Sequence, residues 1–403
     1  MIGQTWPAEG RTFKDALTGR TVRQLTQFGN NYHLYFTENA FDRDGASIIF
    51  SSDRASGERR APHQDPHYNV FRLDLASGVI TQLTDEASPV TKVTKTPDGR
   101  LVVYITDRTL KLLDTQTGEI SVVYEESGPY DIGSPSISPN RRSVGFTRNE
   151  DLSIRHGTDP AAGARYYHGP NYAGFKERYY LVKDGRITVA NLDGSGWYDT
   201  ICDTHQVGHF QFSPDDPTIG MYCHEGPWNL VTQRMWGIDL AARHVWPLFR
   251  QEEKDSIGHE FWTQDGYVFF DNRGPNHDGT ITSDRTQAVV TEVAVNENEF
   301  EPYVGLMDRW GRIVRRIGMP YYCNHYHANP DNSLLVGDDV DDLVLIDIGT
   351  DTPTPQNLCR HGTSWHTQSS HCHPTWSWDG RRILYASDKG GQINLYLLDM
   401  DTM

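Results

Sequence analysis

The most constraining feature of this chain is a phrase that it repeats. Phe41 opens FDRDGASIIFSSDR, Pro97 opens PDGRLVVYITDR, and WDGRRILYASDKGGQINLYLLD returns near the end, with weaker copies starting at Ser138, Ser213, Gln264 and Pro330. Each copy holds a polar turn, a short β-branched or aromatic strand, a second turn, a strand ending in Leu-Asp or similar, and a Gly turn into a further strand. That is the pattern of an antiparallel four-stranded unit. Seven such anchors at about the spacing of one blade predict an all-β fold, a seven-bladed β-propeller forming a single domain over residues 1–403.

The two ends of the chain predict how the ring closes. The last copy stops at NLYLLD, where others continue into a Gly turn and a final strand, while the N-terminal region offers TGRTVRQLT, a near match to SGVITQLT at Ser77. The missing strand is therefore expected from the front of the chain, which removes an open sheet edge. Two intervals are long and contain RHGTDPAAGARYYHGPNYAGFKERYY and the insert spanning 273–302. Both are expected to be loops over one face or extra strands, and loops of this kind often build binding sites.

Charge narrows the partners. A formal net charge of -17 repels polyanions, so nucleic acid and anionic membrane surfaces are not expected partners. A small acidic ligand stays open, because a local cationic site can outweigh a screened global field. The five cysteines are scattered without a C-x-x-C pair, so a disulfide framework is not expected. No basic segment leads into an apolar one at the start of the sequence, and no run approaches the roughly 18 apolar residues of a membrane span. A cytoplasmic protein is the expectation.

Chemistry concentrates in a few stretches. In QSSHCHPTW, His371 and His373 stand two apart, so on a strand both side chains leave the same face and can share one ion. Gln368 would point the other way in a continuous strand and can join them only from the preceding loop. His325 and His327 form a second H-x-H pair just before another strand. An amide oxygen beside imidazoles favours manganese or another oxygen-tolerant divalent ion over a closed zinc site; ordinary polar core or turn histidines are the plainer reading of either pair alone. CHEGPWNLVTQRMW carries His224, Glu225 and Arg234, and SIGHEFW carries His259 and Glu260. From spacing alone Arg234 reads as an ion-pair partner and His259 as a residue at a strand start. Aspartates of the repeat, such as Asp53 and Asp388, read as turn and inter-strand hydrogen-bond formers. No G-x-S-x-G elbow, Walker loop or G-x-G-x-x-G is present, which disfavours a hydrolase domain and leaves no nucleotide signature.

Taken together, HLYFT at His33, SSDR at Ser51, CHEGP with RMW, GHEFW, the HANPDNSLLVGD region, RHGTSW at Arg360 and Q-S-S-H-C-H-P resemble the oligogalacturonate lyases of polysaccharide lyase family 22, over nearly the whole chain and in the family's order. The resemblance implies a seven-bladed propeller with a central manganese site, whose ligands fall on His325, Gln368, His371 and His373. His325 is implied rather than His327 because its separation from Val336-Gly337-Asp338 suits the family phrase. The resemblance further implies His259 as base and Arg234 as the residue that binds or neutralises an acidic oligosaccharide, with His224 and His327 as further substrate-binding candidates. Trp228 stands where the family commonly has a histidine, and the segment between GHEFW and His325 is enlarged.

These groups suit β-elimination from a 4-linked uronate, above all a dimer. The C5 proton is weakly acidic because the adjacent carboxylate resists further charge, so a divalent ion and an arginine there stabilise the enolate-like state. A neutral histidine can take the proton. For the proton on the leaving O4, His224, Tyr326 and water are candidates. The rival reading, from the repeats alone, is a non-catalytic propeller similar to the TolB-type proteins that binds a protein or sugar partner through one face.

Overall fold

The computed structural model describes residues 1–62, 64, 67–152, 175–274, 279, 302–365 and 367–400. Most of the two long inserts expected over one face, 155–174 and 275–301 apart from Gly279, therefore lies outside the described residues. Seven antiparallel sheets follow one another along the chain. One end strand of each is innermost, and these are Asn31–His33, Val90–Lys95, Tyr130–Ile137, Val207–Phe212, Ile257–Trp262, Tyr326–Ala328 and Thr375–Trp376. The expected seven-bladed propeller is the fold, and we number its blades 1 to 7 in that order. Among the described residues no helix is long and apolar enough to cross a membrane.

Closure occurs where the repeat placed it. The strand Thr21–Gln24 pairs antiparallel with Asn394–Asp399 of blade 7, Val22 facing Leu398 and Gln24 facing Tyr396. Arg11–Lys14 adds a fifth strand outside it, and Thr5–Trp6 pairs with the outer strand of blade 1. The front of the chain thus covers the edges of both the last and the first blade. Val22 is fully buried in this seam, which stabilises it by about 1.5–3 kcal/mol. A buried ion pair, Arg54 to Glu9 at 2.7 Å, fixes the same N-terminal segment to blade 1.

Between neighbouring sheets lie separate apolar clusters, built from the β-branched and aromatic positions that alternate along the strands. The repeat aspartates tie segments together as expected: Asp53 accepts from the Asn30 N–H at 2.7 Å and Asp388 from the Ser364 N–H at 2.8 Å.

One detail of the repeat positions everything that follows. At the turn after each inner strand, a backbone N–H returns to the carbonyl opening the next strand: Asp42, Thr96, Ser138, Ser213, Thr263, Asn329 and Ser377 donate to Ser47, Leu101, Ser143, Ile219, Tyr267, Leu334 and Arg382. Just before these turns the inner strands lose their register. Slips fall between Val90 and Lys92, Gly133 and Ser136, Gly208 and Gln211, and Ile257 and Glu260. In blades 6 and 7 regular pairing begins only at Tyr326 and Thr375, and in blade 1 it stops at His33 and resumes as a single bridge at Phe41. A bulge re-aims a side chain, and in blades 2 to 5 it does so at one repeat position, while in blades 1, 6 and 7 the same position lies outside the paired strand.

Candidate active site

Counting four residues back from each turn gives Glu38, Lys92, Ser134, His209, His259, His325 and His373, one from each blade. Six of the seven line a cavity of about 560 Å³, and the seventh, His325, stands behind them with its ring 4.4 Å from His259 and 4.3 Å from His373. Ser134, His209 and His373 hold φ values of 44°, 47° and 44°. Left-handed backbone at a non-glycine residue costs about 1–3 kcal/mol and concentrates where function requires a particular aim. The preceding residue is Gly133, Gly208 or Gly258 in blades 3 to 5. At Gly258 the need is steric, because a Cβ would meet the Trp228 ring at 1.9 Å.

His325, His371 and His373 are buried, and one nitrogen from each lies within 4.8 Å of the others. His325 Nε2, both nitrogens of His371 and His373 Nε2 have no hydrogen-bond partner. A buried polar atom left so costs about 1–3 kcal/mol, and three on convergent rings are the donor set of a divalent metal site. His325 Nδ1 donates to Asp338 Oδ2 at 2.8 Å, which turns Nε2 towards the cluster, as carboxylates behind metal-binding histidines do. His33 donates from Nε2 to the carbonyl of Cys372 at 3.1 Å and so fixes the backbone between the two other rings. Burial drives all three imidazoles well below the usual histidine range, so each is neutral with a lone pair free for an ion. Gln368 opens a short 3-10 turn, Gln368–Ser370, capped by Thr367, and its side chain is exposed to the same cavity that His373 lines.

His259 adjoins this cluster. Its Nδ1 is buried without a partner, and its ring packs edge-on against Phe36 at 5.1 Å and Trp228 at 5.2 Å. Burial, then His325 and Arg273, hold it well below the usual histidine range, so it too is neutral. Trp228, in the place of the family's histidine, is stacked under Arg273 at 4.3 Å and beside Arg234 at 5.6 Å, and serves as a wall that keeps His259 in position.

Arg234 is the ion-pair partner that its spacing suggested. It pairs with Glu225 at 3.1 Å and Glu260 at 3.5 Å, and its Nη1 lines the cavity side of the network without a partner. His209 completes the network, Nδ1 at 2.8 Å from Glu260 and Nε2 at 3.3 Å from the Tyr35 hydroxyl.

Not every expected residue is brought here. His224 turns away, bonded to Asp203 at 2.9 Å and stacked on His205 at 4.4 Å. That trio also has metal-compatible spacing, but its ligand atoms bond one another, unlike those of His325, His371 and His373. His327 lies two residues along its strand, stacked on Phe261 at 5.5 Å, and lines a second cavity at the opposite mouth of the channel. Tyr326 is buried, its hydroxyl accepting from the Cys323 N–H at 2.7 Å. His325 and His327 form one H-x-H pair in the sequence, but only His325 joins the cluster with His371 and His373. His209, Lys92 and Tyr35 were missed, and the signal that finds the first two is the count of four residues back from each turn.

A family model described as oligogalacturonate lyase matches residues 2–402. An oligogalacturonide lyase of Pectobacterium atrosepticum is 26% identical over 98% of this chain and 97% of its own, and an oligogalacturonate lyase of Dickeya dadantii is 26% identical over 96% and 95%. Among solved structures, an oligogalacturonate lyase in complex with manganese superposes with a TM-score of 0.79 at 24% identity, covering 99% of this chain and 98% of that one.

Proposed function

The chain belongs to the oligogalacturonate lyase family, and from that premise we propose that it cleaves short 4-linked galacturonate oligomers, dimers above all, by metal-assisted β-elimination. The observation that carries this reading is the meeting of three neutral imidazoles with unpartnered nitrogens, His325, His371 and His373, beside a fourth, His259, at the wall of one cavity. His325, His371, His373 and the Gln368 amide would hold the ion, manganese first. Bound there, a divalent cation supplies positive charge against the substrate carboxylate.

The residues divide the rest of the work. His259, neutral, takes the C5 proton; the electrons of that C–H bond form the C4–C5 double bond, and the C4–O4 bond breaks. Arg234 directs its unpaired Nη1 to the carboxylate, while Glu225 and Glu260 hold the guanidinium in place. O4 leaves with a proton. Of the groups considered for it, His224 and Tyr326 are committed elsewhere, whereas the Tyr35 hydroxyl lines the cavity against His209. Burial raises that hydroxyl well above the ordinary tyrosine range, so it is protonated and able to donate. Trp228 and the cavity walls exclude water from the base.

Digalacturonate incubated with the manganese-loaded protein should generate the absorbance of a 4,5-unsaturated uronate, chelator should abolish it, and added manganese should restore it. No elimination from any oligouronate by the metal-loaded protein would favour a non-catalytic binding propeller.

A further inference from the structure

Lys92 is the one lysine or arginine in the ring of seven, and the elimination described above gives it no task. Lys92, from blade 2, projects where the register slips between Val90 and Lys92, and its side chain is exposed inside the cavity. Among the described residues the cavity is lined by three cations. Arg234 is held by Glu225 and Glu260, and Arg178 faces Asp131 at 3.8 Å and Gln206 at 3.4 Å. Lys92 has neither an ion pair nor a hydrogen bond among the described residues. The acids do not answer it either: Glu38, its neighbour in the ring, accepts from Thr94 Oγ1 at 2.7 Å, and Glu225 belongs to Arg234.

An ammonium group confined in a cavity without a protein counter-ion is the complement of a ligand anion. Its confinement is marked enough that burial lowers its pKa, with Glu225 only partly offsetting the loss. The position adds a direction. His259, His325 and His373 come from blades 5, 6 and 7, so blade 2 stands across the channel from the groups that act on the reacting sugar. A galacturonate dimer carries a second carboxylate, on the residue that is not deprotonated, and Arg234 and the metal ligands already answer the first.

We propose that Lys92 is a specificity-determining residue that pairs with the carboxylate of the second uronate across the scissile bond. A lysine suits this task as a compact point charge with three rotatable donors, able to follow a carboxylate whose orientation varies with the glycosidic torsions. The proposal rests on the lyase reading and adds to it an expected outcome: a uronate linked to a neutral sugar should be a poorer substrate than digalacturonate.

The test compares wild type with Lys92→Met and Lys92→Arg on two substrates, digalacturonate and the same dimer methyl-esterified at its non-reacting residue. A charge-assisted contact of this kind should raise KM for digalacturonate by about 10- to 100-fold in Lys92→Met. In the same variant kcat and metal content should stay near wild type, KM for the ester should be unchanged, and Lys92→Arg should recover most of the loss. An unchanged KM in Lys92→Met, or an equal loss on both substrates, overturns the proposal. A collapse of kcat at constant KM overturns it as well, since it would put Lys92 in proton transfer. Wild type is the control for the reading beneath: if it forms no unsaturated product, the lyase reading fails and Lys92's role with it, whereas normal wild-type turnover with an indifferent Lys92→Met sinks only the role of Lys92.

Discussion

Two residues of the same inner strand, four and two before the turn, meet very different fates in this propeller. The first position supplies Glu38, Lys92, Ser134, His209, His259, His325 and His373; the second supplies Ala40, Thr94, Ser136, Gln211, Phe261, His327 and Thr375. Thr94, Ser136, Gln211, Phe261 and His327 of the second line the other cavity, and members of that ring are stitched to their neighbours. Gln211 donates to the Glu260 carbonyl at 3.1 Å, Ser136 accepts from the Phe212 N–H at 3.1 Å, His327 Nδ1 accepts from the Trp376 N–H at 3.2 Å, and Thr375 donates to the His373 carbonyl at 3.1 Å. In the first ring, by contrast, imidazole nitrogens of His259, His325 and His373 stand unpartnered. Position in the repeat, as well as residue type, separates these side chains: His259, His325 and His373 of the first ring keep unpartnered nitrogens, His209 there is held by Glu260 and Tyr35, and His327 of the second ring is tied across to Trp376.

The largest effect should come from removing a ligand in the first ring. His373→Ala should lose the bound ion and with it turnover, falling by at least about three orders of magnitude, as read from metal analysis and the elimination assay together. Next is His259→Ala, which should lose about 10²- to 10⁴-fold in kcat while keeping its metal, because a base is removed and no ligand is touched. Near-normal elimination by that variant would break the assignment of the base.

Smaller changes are expected outside the first ring. His361 belongs to neither ring; it is fully buried, bonded to the Asp339 carbonyl at 2.8 Å, and burial lowers its pKa from 6.5 to about 4. It is neutral above pH 6.5 in the folded and unfolded chain alike. As pH falls from 6.5 towards 4 only the unfolded chain takes up the proton, so stability drops by about 1.4 kcal/mol per pH unit on its account. A His361→Gln protein should therefore lose thermal stability less steeply over that interval than wild type, with kcat at pH 7 within about threefold of it. An equally steep loss would mean that its burial does not set that dependence.

The repeat phrases made the seven blades and the seam at Val22 legible, since turn residues and alternating apolar positions are local signals. The histidine cluster was legible through motifs whose spacing survives folding, His371 with His373 above all. The first ring as a ring was not, because bulges and left-handed residues at Ser134, His209 and His373 suspend the two-residue alternation on which strand reasoning rests. That same irregularity hid His209 and Lys92 behind ordinary strand neighbours, whereas His224 ends a regularly paired second strand and bonds Asp203 instead. A site built on broken register is visible in sequence only when the turns are aligned first and the residues before them compared blade by blade.

His325 and His327 give the most direct test, since they stand two apart in one blade, share a residue type and differ in ring. His325→Gln and His327→Gln should be prepared side by side and their manganese stoichiometry and kcat measured on digalacturonate. The account predicts that His325→Gln loses the ion and its turnover, while His327→Gln keeps one ion per chain and a kcat within about threefold of wild type, at a stability cost of about 1 kcal/mol for the lost tie to Trp376. Equal losses in the two variants, or loss of the ion in His327→Gln alone, would contradict it.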